Sequence, residues 1–94
     1  MRIMTITLTE SNFDKEVKQA SVPVLVNFCQ NTNLCVPDYK CCNVDAKASA
    51  RLAREYRIRN LPTILLFNNG NVTDTIVGEM HEKQLMKILG SELR

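Results

Sequence analysis

The stretch NVDAKASARLAREYRIRNLPTILLFNNG, residues 43–70 of a 94-residue chain, switches its hydrophobic period from strand to helix and back. Its first residues continue YKCCNVD (39–45), a short apolar run that reads as a strand. In SARLAREYRI, Leu52, Ala53 and Tyr56 fall on one helical face. TILLF, from Thr63, is again a strand. Asn69-Gly70 accepts positive φ cheaply, so a two-residue turn leads into a second, antiparallel strand in VTDTIV. Strand, helix and hairpin in that order make up half of an α/β domain.

Upstream, VPVLVNF (22–28) is β-branched and apolar on both faces, as expected of an interior strand covered on both sides. Residues 3–8 alternate, with Met4, Ile6 and Leu8 on one side and Ile3, Thr5 and Thr7 on the other, so they read as a strand. Between these strands, Ser11 and Asp14 have the spacing of a capping box, and Phe13, Val17 and Ala20 share a helix face that ends before Pro23. Downstream, Gly78 closes the hairpin, and Leu85, Ile88, Leu89 and Leu93 form the stripe of a last helix. A single domain over residues 1–94 is expected, with no internal repeat.

Composition is ordinary for a globular chain: 45% hydrophobic, 23% charged, net charge +2. That charge is too weak to argue for nucleic acid or a membrane surface as partner. The N-terminal residues lack the apolar core of a signal peptide, and no apolar run approaches the roughly 20 residues that span a bilayer, so a cytoplasmic protein is expected. Four cysteines in that compartment should be mostly reduced thiols.

The interval between the second and third strands breaks the pattern. Adjacent parallel strands need a crossover of about a dozen residues or more, usually a helix. Only CQNTNLCVPDY, residues 29–39, is available, and it shows no helical stripe. An extended loop is expected, which leaves the sheet face carrying Leu25, Asn27 and Cys29 short of a helix. The loop, the last helix or a second copy of the chain should then shelter that face, so self-association as a homodimer is one expectation.

With the elements in this order, the residues resemble the thioredoxin family across nearly the whole chain. LTESNFDKEV, VPVLVNF, residues 43–72, IVG and the closing helix carry the resemblance, and residues 43–70 are its most specific part. It implies a thioredoxin-like three-layer α/β sandwich: a mixed sheet of about five strands flanked by about three helices, with the crossover helix after the second strand missing or reduced to a loop. Pro62 in Leu61-Pro62-Thr63 looks like the family's cis-proline, and its loop would present backbone to a peptide or protein-disulfide substrate.

The redox segment departs from that pattern. Where the family carries Trp-Cys-Gly-Pro-Cys, the nearest residues are Leu34-Cys35-Val36-Pro37-Asp38. Asp38 stands at the second cysteine, Cys29 at the family's Trp, Asn27 at its buried acid and Cys41 at a neighbouring Lys. Without a helix N-terminus or resolving thiol, and with an anionic Asp38 nearby, Cys35 should be poorly activated. Two functions remain open: weak or altered thiol–disulfide exchange through Cys35, with or without Cys29 as resolving thiol across a CX5C spacing, and a non-catalytic binding or assembly module. A constructed helix deletion would give the same sequence.

Other residues read more plainly. Cys41 and Cys42, adjacent in a strand, point to opposite faces and suit burial, although a Cys29–Cys41 contact is conceivable. The four cysteines lack the spacing of a zinc site, so neither metal nor other cofactor is expected. Arg51, Arg54 and Arg57 mark a solvated helix face, and His81 a helix start.

Overall fold

The computed structural model describes residues 5–29 and 34–92. Five strands, β1 (Ile6–Leu8), β2 (Val24–Cys29), β3 (Lys40–Asp45), β4 (Thr63–Asn68) and β5 (Asn71–Val77), form one sheet in the order β1-β3-β2-β4-β5. β1, β3 and β2 run parallel, while β4 and β5 are antiparallel to their neighbours. The helical elements are a π-helical turn at Asp14–Lys18, α1 (Ala50–Glu55) and α2 (Glu82–Glu92). This is the expected α/β arrangement: β2, apolar at nearly every position, sits at the centre and is buried along its whole length.

One face of the sheet is covered by helical elements. Phe13 and Val17 from the π turn, and Leu52 from α1, pack on Leu8, Val24, Val26, Phe28, Val44 and Phe67. Rings hold this core together: Phe13 lies 5.5 Å from Tyr56 and 5.8 Å, edge-on, from Phe67, and Tyr56 meets Phe67 edge-on at 5.6 Å. Such tilted and edge contacts add about 0.5–1.5 kcal/mol each to the area they bury. Lys40, at the start of β3, ties the sheet to the π turn by donating to the Glu16 carbonyl at 2.8 Å while its Nζ pairs with the Glu16 carboxylate, also at 2.8 Å.

The other face is covered by α2 and the short loop. Leu25, Ile64 and Leu66 are buried beneath Leu85 and Leu89 of α2 and beneath Val36, which is 2% exposed. Leu34, Tyr39, Ile76 and Met80 pack around this cluster. The face expected to be short of cover is therefore closed within a single chain. Of the α2 stripe, Leu85 and Leu89 are buried but Ile88 is exposed, and Leu93 lies outside the described residues.

Local signals set the element ends. The expected Ser11–Asp14 box does not form. Instead one half of such a box forms two residues earlier, the Thr9 N–H donating to Asn12 Oδ1 at 2.7 Å, while the Phe13 N–H donates to the Thr9 carbonyl at 3.1 Å in the first backbone turn. The turn thus starts two residues earlier than the Ser11 reading. The segment after α1 turns at Arg57, whose φ is 55°. Asn69 and Gly70 have φ of 53° and 82°, the two positive values a type I′ hairpin requires. The Leu61–Pro62 peptide bond is cis.

Candidate functional site

The loop at 34–39 builds the site. Pro37 presets the second position of a turn and Asp38 follows with φ 74°, the pattern of a type II turn. This reversal carries the chain from Cys35 back onto the start of β3, where the Lys40 N–H donates to the Pro23 carbonyl at 3.0 Å. Cys35 and Cys41 are then 5.4 Å apart at Cα and form a disulfide. Cys35 is half-buried, whereas Cys41 is 3% exposed. The Val36 N–H lies 3.4 Å from Cys41 Sγ, and the Val36 and Tyr39 carbonyls lie 3.5 and 3.4 Å from the same sulfur. In the disulfide that sulfur has no proton to donate, so only the Val36 amide makes a hydrogen bond to it. Closing this seven-residue ring constrains the unfolded chain by between about 2 and 3 kcal/mol in the chain-entropy account.

The strand register divides the residues singled out from the sequence into two places. Cys41 pairs with Leu25 on β2, whereas Thr63 pairs with Phe28 three residues further along, next to Cys29. At about 3.3 Å per residue and 4.8 Å per strand, Cys41 and Thr63 are separated by about 10 Å along the sheet and about 10 Å across it. Cys35 is therefore with Cys41, and Leu61, Pro62 and Thr63 are at the far end with Cys29. Cys29 is buried and takes no part in a disulfide. Cys29, one of the options the sequence left open, is not the partner of Cys35: the 34–39 turn brings Cys35 to Cys41 at the start of β3. Spacing alone could not show this: the pairing depends on a turn that only Pro37 and Asp38 hint at.

Around the cis-proline, Leu61 is 41% exposed and its backbone N–H and C=O make no hydrogen bond among the described residues. The Pro62 carbonyl accepts from Gly78 N–H at 3.0 Å, and the Thr63 hydroxyl donates to the Asn60 carbonyl. Asn27, on the Leu25 face of β2, is buried, and its Oδ1 accepts no hydrogen bond among the described residues.

Cys42, paired with Val26 on the opposite face, is fully buried, and burial pushes its thiol up to about 11. Burial and the raised value both work against its reaction as a thiolate in the folded chain. Arg51, Arg54, Arg57 and Arg59 are exposed, and His81 directly precedes α2, its N–H donating to Gln84 Oε1 at 3.0 Å. Among the described residues no group of three His, Cys, Asp or Glu side chains could hold a metal, and no helix is long and apolar enough to cross a membrane.

Comparison with known proteins decides the family. The thioredoxin family model matches residues 30–91. The chain belongs to the thioredoxin family. Among its thioredoxin relatives, thioredoxin 1 of Synechococcus elongatus is 29% identical over 101 residues, covering 92% of this chain and 94% of the relative. The thioredoxin of Rickettsia felis is 31% identical over 98 residues, covering 88% and 93%. Chloroplastic thioredoxin M5 of Oryza sativa subsp. japonica is 30% identical over 99 residues, covering 89% of this chain but 58% of the rice protein. In the Synechococcus alignment, 92% of the chain is about 86 residues, yet the alignment runs for 101 positions. About 15 positions of that thioredoxin thus face no residue here.

Proposed function

We propose that this thioredoxin-family chain carries out thiol–disulfide exchange through Cys35, with Cys41 rather than Cys29 as its partner thiol. The observation that carries this reading is the pairing itself: a half-buried sulfur bonded to a fully buried one gives the pair one accessible end. A substrate thiolate attacks Cys35 Sγ, the Cys35–Cys41 bond breaks, and Cys41 leaves as a thiolate beside the Val36 N–H. Attack of a second substrate thiol on the mixed disulfide restores the Cys35 thiol and completes a two-electron transfer. In the reverse direction the Cys35 thiolate attacks a substrate disulfide and Cys41 resolves the mixed disulfide. No helix N-terminus lies behind Cys35 to lower its pKa, so exchange should be slow for the family. In a reducing cytoplasm, the compartment expected from the sequence, the resting form is the dithiol.

Leu61, Pro62 and Thr63 are proposed as the peptide-facing loop, since the Leu61 backbone groups are open to an extended segment. Their distance in register from Cys41 supports a second reading, a module that binds peptide there and performs no exchange. A homodimer is not required to bury the Leu25 face of the oxidised chain. Turnover of a model protein disulfide, with wild type, Cys35→Ser and Cys29→Ser compared, tests the first reading. Expected are slow turnover in wild type, loss in Cys35→Ser and retention in Cys29→Ser. No turnover in wild type leaves the binding module.

A further inference from the structure

The structural role of Val36 differs from that of every other buried residue in the Leu25 cluster. Leu25, Ile64, Leu66, Leu85 and Leu89 belong to strands or to α2, whereas Val36 is held by a loop. Among the described residues no backbone–backbone hydrogen bond joins residues 34–38 to the sheet. What holds the segment is the bond from Cys35 to Cys41, the Val36 N–H contact with that same sulfur, and the side chains seated on the apolar face. With the bond intact, Cys35 stays one side-chain pair away from β3, so Val36 can lift only slightly. With the bond broken, the Val36 N–H contact with Cys41 Sγ and the seated side chains are the holds on residues 34–38 that remain among the described residues.

We propose that the Cys35–Cys41 bond is a redox-operated clip that holds Val36 over the Leu25–Ile64–Leu66 face, and that its reduction uncovers this face. Reduction by an external dithiol breaks the sulfur–sulfur bond. The chain takes two electrons and two protons to become two thiols, and the external dithiol becomes a disulfide. Losing the closure of a seven-residue ring raises the opening equilibrium of the loop about 50-fold in the chain-entropy account. The reduced chain then displays apolar surface beside Cys35, and the oxidised chain hides it. The proposal rests on the exchange reading only in requiring that the pair pass between disulfide and dithiol.

Amide hydrogen exchange on the oxidised and fully reduced wild-type chain tests this, with Cys35→Ser/Cys41→Ser as a chain that cannot close the bond. The Val36 amide should exchange about 50-fold faster in the reduced chain and in the double variant, and a dye for apolar surface should brighten with it, while Val26 and Leu65 keep their protection. Equal exchange at Val36 in both redox states overturns the clip. So does loss of protection at Val26 and Leu65 together with Val36, because the whole sheet has then opened. Should the double variant not fold, oxidised Val36→Ala gives the second measure: dye binding should rise with the bond still closed, and no rise counts against Val36 as the cover. Turnover measured on the same samples separates the two ideas. A redox-dependent Val36 amide without turnover keeps the clip and removes the exchange reading, and turnover with an unchanged Val36 amide does the reverse.

Discussion

The two faces of the sheet are buried by different means. On one, Phe13, Val17, Leu52 and Tyr56 come from helical elements whose own spacing aims them at the sheet. On the other, α2 supplies Leu85 and Leu89, and the remaining fully buried cover is Val36, on a loop closed by a disulfide and flanked by half-buried Leu34 and Tyr39. The first face is held by many side chains in regular elements, so its cover does not depend on any one bond. Among the described residues no helix lies between β2 and β3, so the second face relies there on a loop with Val36 at its centre and one covalent link, and its integrity depends on the oxidation state of that link.

The sharpest way to break the contrast is in the aromatic core. Phe67→Ala should cost about 3–5 kcal/mol, because the ring is buried among Phe13 and Tyr56 and leaves a cavity between rigid elements. Urea unfolding measures it, and a loss under 2 kcal/mol would mean that this face is more pliable than its helices suggest. Reduction of the Cys35–Cys41 bond comes next, at between about 2 and 3 kcal/mol, read as a shift of the urea midpoint between oxidised and reduced protein. A smaller loss is expected for Val36→Ala in the oxidised chain, about 1.5 kcal/mol for two buried methyl groups. Should its loss match that of Phe67→Ala, the loop would be as tightly packed as the helices.

The smallest effect concerns the Glu16–Lys40 link between the π turn and β3. Lys40, by hydrogen bond and charge, holds the Glu16 carboxyl below its ordinary value of 4.5. A lowered folded-state value means that the contribution is complete above 4.5 and is lost as pH falls through the lower, folded value. Unfolding midpoints measured from pH 6 down to pH 3 should therefore fall less steeply in Glu16→Gln than in wild type. Parallel curves would show that the pair adds nothing to the helix-covered face.

How much of this was legible in the sequence follows the same divide. Alternation, continuous apolar runs and the hairpin turn mark the strands, and helical spacing marks the buried residues Phe13, Val17, Leu52, Leu85 and Leu89, because a regular element repeats its signal. Asn69-Gly70 announced its hairpin by chemistry that few other pairs provide. The capping residues were placed two positions late, since Ser11 and Thr9 offer the same hydroxyl and only the backbone decides between them. Val36 and the pairing of Cys35 with Cys41 were not legible. One valine in a polar loop has no period, and the disulfide depends on where a turn at Pro37 and Asp38 points the chain. The candidate site was half legible for that reason: the sequence offers Cys35 as the reactive thiol and Leu61, Pro62 and Thr63 as the peptide-facing loop, but the distance between them depends on the register of β2 with β3 and β4.

Hairpin tips are the usual place to graft a foreign peptide onto a small domain, and here the tip is occupied. A Cβ built on Gly70 would stand 3.0 Å from the Lys18 carbonyl oxygen, so the hairpin tip sits against the end of the π turn. Residues inserted between Asn69 and Gly70 would push on the turn that carries Phe13 and Val17 into the core. A display scaffold made from this chain would tolerate its cargo better elsewhere, away from a joint where two local structures share one contact.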